Sequence, residues 1–187
     1  MSAESVAFVN DVVMWATLLG HVATVILVLA LCNVAPFTKI RSFVSANGIS
    51  LSFMIVLGAT LGSLYYSNIA NFAPCVLCWY QRVIVFPQVL LFGLAFKRKT
   101  RDIIPYTTAL SWVGLCISLY QVILERLPSV AVFCDPAGIS ESCATIYVKG
   151  FNYITIPVMS LTVFALLLLI AGFMRGKASE PSLDVSR

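Results

Sequence analysis

Charged residues are scarce in this sequence. Lysine, arginine, aspartate and glutamate make up 11% of the 187 residues, whereas 60% are hydrophobic and the mean hydropathy is +0.96. Soluble domains carry about 25% charged residues. A chain this apolar is therefore expected to lie in a lipid bilayer. The net charge of +4 is too small to indicate nucleic-acid binding.

Histidine occurs once, at position 21, in the middle of the first apolar run. A zinc site needs several cysteine or histidine ligands close together, so this histidine does not support a metal site near the cysteines, and we predict none. An ionisable residue inside a membrane suggests function by default. The interpretation that we favour for His21 is simpler: a neutral imidazole hydrogen-bonded to a neighbouring helix.

Long apolar runs, in contrast, are abundant. A helix needs about 20 apolar residues to cross a bilayer, and five segments meet this need: 12–31, 49–66, 79–96, 103–124 and 156–174. The third is the weakest, because four residues interrupt it: Gln81, Arg82, Pro87 and Gln88. The sequence predicts an all-α integral membrane protein with a four-helix bundle core and one extra N-terminal transmembrane helix.

The positions of the basic residues predict the orientation of these helices. Lysine and arginine are concentrated after the first span, between the third and fourth spans, and after the fifth. These segments alternate across the bilayer, so the positive-inside rule assigns all three to the cytoplasm. We therefore divide the chain into a lead-in with the extra helix (1–48), the four-helix core (49–174) and a cytoplasmic tail (175–187).

Two cysteines stand at the start of the third span, in the sequence CVLCWYQR at residues 75–82. Pro74 favours a helix start here, and the positive end of a helix dipole favours a thiolate over a thiol. Arg82 follows Cys78 by four residues, on the same helical face, and its charge further favours the Cys78 thiolate, the nucleophile of disulfide exchange. Two interpretations of Arg82 remain open. In one, the guanidinium reaches a lipid phosphate; in the other, it lies beside Cys78 and also holds the oxygen of a lipid-soluble acceptor.

A second cysteine pair, Cys134 and Cys143, lies between the fourth and fifth spans. The sequence DPAG at 135–138 predicts a turn that would let the two sulfurs meet. Cys32 faces the reducing side, and Cys116 is most simply a small buried apolar residue. Four cysteines on one oxidising face favour a dithiol relay. The alternative is a structural or transport membrane protein with disulfide-stapled loops.

Two features of the spans have simple interpretations. Small residues about four apart within 58–63 would let helices approach closely, so they predict packing and no chemistry. Gln121 lies near the outer end of the fourth span. It is expected to form an interhelical hydrogen bond and is also a candidate for lining an acceptor pocket.

The octapeptide, the later loop cysteine pair and the sequence ITIP at 154–157 together resemble the DsbB/BdbC family of membrane disulfide-bond-forming thiol:quinone oxidoreductases. The resemblance covers about residues 49–174. It implies that Cys75 and Cys78 form the quinone-proximal pair. Cys78 would meet the ring of the bound quinone, ubiquinone or menaquinone, and Arg82 would assist quinone binding.

The resemblance also implies a partner and a direction for the electrons. Cys134 would join a thioredoxin-fold, DsbA-like thiol oxidase in a mixed disulfide, and Cys143 would exchange with Cys75. Electrons would run from that partner through the loop pair and the CxxC pair to quinone, at the extracytoplasmic face of the bacterial inner membrane. It assigns no role to the first span. The loop, with eight residues between its cysteines, resembles the compact BdbC form.

Overall fold

The computed structural model describes residues 3–32, 38–127 and 146–176. They form five α-helices: α1 (Ala3–Leu31), α2 (Thr38–Asn68), α3 (Val76–Arg98), α4 (Ile104–Arg126) and α5 (Ile156–Gly176). Each helix is long and apolar enough to cross a membrane. The predicted all-α membrane fold with five spans is therefore confirmed. β-Structure in the described part of the chain amounts to one isolated bridge, between Gly150 and Ile154.

Helix α5 lies at the centre of the bundle. It packs against α1, α2 and α4, while α3 packs against α2 and α4. Helices α2 to α5 form the four-helix core, and α1 is added on the side where α5 meets α2. This arrangement agrees with the predicted core and extra N-terminal helix.

Two apolar clusters hold the helices together. Val56, Phe92 and Phe164 are central to the cluster within the four-helix core, while Leu27 and Ile170 belong to a cluster that joins α1 to α2 and α5. Lipid is as apolar as these side chains, so close packing drives helix association in a membrane. The lipid-facing surface accordingly carries large exposed apolar side chains.

The polar residues that interrupt α3 bond to its neighbours. Gln81 bonds to Gln121 of α4 and Arg82 to α2, and Gln88 accepts a hydrogen bond from Ser111 of α4, with 3.3 Å between the oxygens. Pro87 lies inside α3 without ending it. The third span is thus a complete helix whose polar side chains are satisfied by neighbouring helices, as expected in hydrocarbon.

The expectation for Cys116 is wrong. The side chain is exposed, because the buried face of α4 carries Gly114, Ser118 and Gln121. Cys116 is two residues from Gly114, or about 200° around the helix. It therefore points away from the bundle.

Candidate functional site

The CxxC pair lies at the first turn of α3. The helix begins at Val76, with Cys75 as its N-cap (φ −70°, ψ 169°), and this confirms the predicted helix start. The Trp79 N–H donates to the Cys75 carbonyl at 3.1 Å. Cys75 is buried and Cys78 is half-buried. Their sulfur atoms are 3.1 Å apart, so only a small movement separates this arrangement from a disulfide bond.

The environment of Cys75 keeps its thiol protonated. The hydrogen bond with the Cys78 sulfur, followed by burial, raises the pKa of Cys75 well above its usual range. Cys75 therefore favours the thiol form over the thiolate. The nucleophilic role expected of Cys78 stays a prediction.

A chain of amide and hydroxyl groups leads to the two sulfurs. Ser160 Oγ of α5 donates to Gln81 Oε1 at 2.6 Å, and Gln81 Nε2 donates to Gln121 Oε1 at 2.9 Å. Gln121 Nε2 then lies 3.4 Å from each of the sulfurs of Cys75 and Cys78. The expected interhelical hydrogen bond of Gln121 is confirmed. Sequence reasoning treated Gln81 only as an interruption, although a polar residue in an apolar span is itself a signal.

The Arg82 side chain is held between α3 and α2. Its Nε donates to Ser63 Oγ at 2.9 Å, and its Nη2 donates to the Ser63 carbonyl at 3.0 Å. The guanidinium carbon also lies 5.2 Å from the centre of the Trp79 ring, a cation–π contact. The charge is thus anchored to α2, one turn from Cys78.

A cavity of about 420 Å³ opens beside the CxxC pair. All five helices contribute to its lining, which is mostly apolar. Cys75, Cys78, Arg82 and Gln121 all border it. Small-molecule sites typically have volumes of about 300–1,000 Å³, apolar walls and a few polar groups, and this cavity has all three features.

The small residues of α2 line this cavity. A Cβ atom added at Gly58 or Gly62 would have nothing within 4 Å, and both glycines border the cavity. The expected role in close helix packing is therefore wrong. Among the described residues, no neighbouring helix packs against these two glycines, and the absence of side chains there leaves room for a ligand.

Helix α1 closes one side of the cavity. Val13, Ala16 and Gly20 belong to the lining. His21 fixes this helix, since its Nε2 lies 2.9 Å from Thr162 Oγ1 of α5 and its Nδ1 lies 3.2 Å from the Tyr153 hydroxyl. These bonds confirm the favoured interpretation of His21 as a residue hydrogen-bonded to a neighbouring helix. Sequence reasoning found no role for this span.

The cavity also has an unused polar group that fits a quinone. The Tyr66 hydroxyl is buried without a hydrogen-bond partner among the described residues, and Tyr66 borders the cavity. Burying a hydroxyl without a partner costs about 1–3 kcal/mol. A quinone offers a flat apolar ring and carbonyl oxygens that accept hydrogen bonds, which matches the apolar walls, Tyr66 and Arg82.

The loop pair lies outside the described residues, as does the predicted turn at 135–138. The described chain stops at Leu127, immediately after α4, and resumes at Ile146. Gln121, on the penultimate turn of α4, contacts the sulfurs. Leu127, where the described chain stops, therefore lies at the end of the bundle that contains the CxxC pair.

Comparisons with known proteins agree on one family. The profile described as "Disulfide bond formation protein DsbB" matches residues 45–174. "Disulfide bond formation protein C" of Bacillus subtilis is 35% identical over 129 residues, covering 69% of this chain and 93% of that protein.

Two further relatives give the same result. "Probable disulfide formation protein C 1" of Bacillus anthracis is 40% identical over 106 residues, covering 57% of this chain and 76% of the relative. "SPbeta prophage-derived disulfide bond formation protein B" of Bacillus subtilis is 38% identical over 117 residues, covering 63% and 78%. No solved structure gave a significant match.

Proposed function

The chain belongs to the family of disulfide bond formation protein DsbB, and on that premise we propose that it is a membrane thiol:quinone oxidoreductase. Its substrate is a reduced, extracytoplasmic thioredoxin-fold protein of the DsbA type. It acts at the outer face of the bacterial inner membrane, where an oxidising compartment permits disulfides. The single observation that carries the proposal is a pair of thiols, 3.1 Å apart, beside an apolar cavity bordered by Arg82.

Each transfer from the partner is a thiol–disulfide exchange. A thiolate of the reduced partner attacks Cys134 of the oxidised loop pair, and Cys143 leaves as a thiolate. The second partner thiol then resolves the mixed disulfide. The partner gains one disulfide, and Cys134 and Cys143 gain two electrons and two protons as thiols.

The loop pair is reoxidised by the CxxC disulfide. Cys143 attacks Cys75, so Cys78 leaves as a thiolate, and Cys134 then displaces Cys75 from Cys143. One S–S bond forms in the loop and one breaks in the CxxC pair. The protonated state favoured at Cys75 suits it to receive the proton of this exchange.

The residues around the cavity prepare the CxxC pair for its own reoxidation. Bound quinone supplies an acceptor of two electrons and two protons. Arg82, anchored by Ser63, places positive charge one turn from Cys78. Gln121 donates toward both sulfurs. The walls are mostly apolar, and electrostatic interactions beside apolar walls are stronger than in water.

A turnover assay tests the proposal. Purified protein is mixed with a short-chain ubiquinone analogue and a reduced DsbA-type protein, and quinone reduction is followed by absorbance. We expect turnover in the wild type and its loss in Cys78→Ser, because a serine cannot form the disulfide. Cys116→Ser is the matched control: the residue is exposed on α4 and should be replaceable without effect.

Turnover that survives Cys78→Ser would refute the mechanism. Thiol trapping in cells separates the relay from a protein with structural staples. A relay gives a mixed disulfide between the partner and Cys134 when Cys143 is replaced. Staples would leave all four external cysteines fully oxidised, with no partner attached.

A further inference from the structure

Tyr66 carries a buried hydroxyl group without a hydrogen-bond partner among the described residues. The side chain is 6% exposed and lies in the last turn of α2. Buried polar groups are normally hydrogen-bonded, so the lack of a partner for this hydroxyl needs an explanation. Tyr66 also borders the cavity, so a molecule bound there would lie next to this residue.

Other unpaired groups in the described residues lie elsewhere. Buried polar side-chain atoms without a partner occur at Asn10, Ser45, Ser52, Thr60 and Tyr66. Of these, Tyr66 is the residue that borders the cavity. The coincidence of an unpaired donor with the cavity beside the CxxC pair therefore distinguishes it from the rest.

The position of the Tyr66 ring is determined by its neighbours. It stacks on Phe72, with 5.7 Å between ring centres and 10° between the planes, and Phe72 stacks on Tyr147 at 5.0 Å and 17°. The Phe72 N–H also donates to the Tyr66 carbonyl at 2.9 Å. All three rings border the cavity. The phenol ring is thus part of a packed aromatic wall of the cavity.

Tyr66 and Arg82 both border the cavity, and Ser63 links the two residues. Ser63, one helical turn before Tyr66, receives two of the five N–H groups of Arg82. Residues three apart on a helix lie on one face. Two different donors, a phenol and a guanidinium, therefore border the same cavity beside Cys78.

We propose that Tyr66 donates a hydrogen bond to a carbonyl oxygen of the electron acceptor and so determines which acceptors bind. The assignment rests on the proposed function, since it names a residue that selects the acceptor of that reaction. Tyr66 acts on binding and takes no electrons. An apolar molecule of the same shape without the carbonyl oxygen would leave the hydroxyl unpaired and bind more weakly.

The test uses Tyr66→Phe in the full-length protein, with Tyr65→Phe as the matched control. Both changes remove one hydroxyl and keep the ring. In Tyr66→Phe we expect the KM for the short-chain ubiquinone analogue to rise about 3- to 10-fold, the effect of one hydrogen bond, while kcat stays within about twofold. Quinone should also raise the Tm of this variant less than that of the wild type. Tyr65 is not among the residues that border the cavity, so Tyr65→Phe should keep the wild-type KM and the wild-type rise in Tm on adding quinone.

The Tm of the ligand-free protein gives a second readout. If the hydroxyl has no partner in the ligand-free state, replacing it by hydrogen removes an unsatisfied group, and the Tm should stay the same or rise. A structural hydroxyl would instead lower the Tm when removed. Weaker quinone binding combined with undiminished ligand-free stability is therefore the expected signature.

Each other outcome overturns a definite statement. An unchanged KM in Tyr66→Phe, with the wild type turning over normally, overturns the role of Tyr66 and leaves the proposed function standing. A lowered ligand-free Tm also overturns that role, because the hydroxyl then has a structural partner. A wild type that neither reduces quinone nor is stabilised by it overturns both proposals.

Discussion

Gln121 is expected to tune the redox balance of the CxxC pair. Its Nε2 is 3.4 Å from both sulfurs, and its Oε1 accepts from Gln81. A donor stabilises a reduced, negatively charged sulfur more than a disulfide sulfur. Replacing Gln121 with leucine, which has a similar size and no donor, should therefore make the pair harder to reduce.

The size of the effect follows from the hydrogen bonds that are lost. A hydrogen bond to a charged group contributes about 1.5–3 kcal/mol, and at the long distances seen here we take the lower end, about 1.5 kcal/mol. For a two-electron couple this corresponds to a reduction potential about 30 mV more negative. Gln121→Leu also removes the acceptor of Gln81, and interhelical hydrogen bonds in membranes average about 0.6 kcal/mol of stability.

The assay is a redox titration of the isolated pair. The purified protein first has its other cysteines replaced by serine: Cys32, Cys116, Cys134 and Cys143. It is equilibrated in glutathione buffers of known ratio, and the reduced fraction is read from the mass added by a maleimide. The potentials of the parent and of Gln121→Leu are then compared.

Ser118→Ala provides the control on the same helix. Ser118 is also buried, one turn before Gln121, and it donates to its own helix at the Gly114 carbonyl at 2.8 Å. Its loss should leave the potential unchanged. A potential in Gln121→Leu within about 10 mV of the parent would refute the reasoning, and so would an equal shift in Ser118→Ala.

Two further changes have clear expected results. Gly114→Ala places a Cβ inside the contact distance of the buried Phe164 ring and should lower the free energy of unfolding by about 1–3 kcal/mol. Gly172→Ala is the control and should leave the free energy of unfolding unchanged, because nothing lies within 4 Å of the added Cβ. The two free energies are measured by denaturant unfolding in detergent, and equal losses would contradict the packing argument. Because the hydrogen bond with Cys78 and burial raise the pKa of Cys75, its thiol stays protonated as pH rises, so its alkylation by iodoacetamide should scarcely accelerate between about pH 7 and 9. The alkylation rate of Cys75 is measured by mass spectrometry of its peptide, with the thiol of glutathione as the reference. If the rate at Cys75 rose with pH as steeply as the rate of glutathione, the raised pKa would be contradicted.

Local features of the chain were predictable from sequence. Hydropathy and helix length are summed over neighbouring residues, so the five spans could be found without knowing how they pack. The start of α3 depends on Pro74 and on adjacent backbone groups, which sequence also contains. The CxxC spacing, with Arg82 four residues after Cys78, brings these groups to one face of the helix within about two turns, wherever the helix lies.

Pairings between helices were not predictable in the same way. Gln81 and Gln121 are 40 residues apart in the sequence. They form a hydrogen bond only because of the way α3 and α4 are rotated relative to each other. The same rotation turns Cys116 out of the bundle. Gly58 and Gly62 match a pattern typical of close helix packing. Such packing also needs a neighbouring helix against the two glycines, and their surroundings in the described structure are open.

The sequence alone therefore determined an all-α membrane protein with a CxxC at a helix start and an arginine one turn away. Tertiary structure decided what surrounds that pair. It joined Gln121 to both sulfurs and left the Tyr66 hydroxyl without a partner among the described residues. It also brought α1, through His21, against α5 as a wall of the cavity. The physical reason is range: helix formation depends on residues within a few turns, whereas a cavity exists only where several helices fail to fill the space between them.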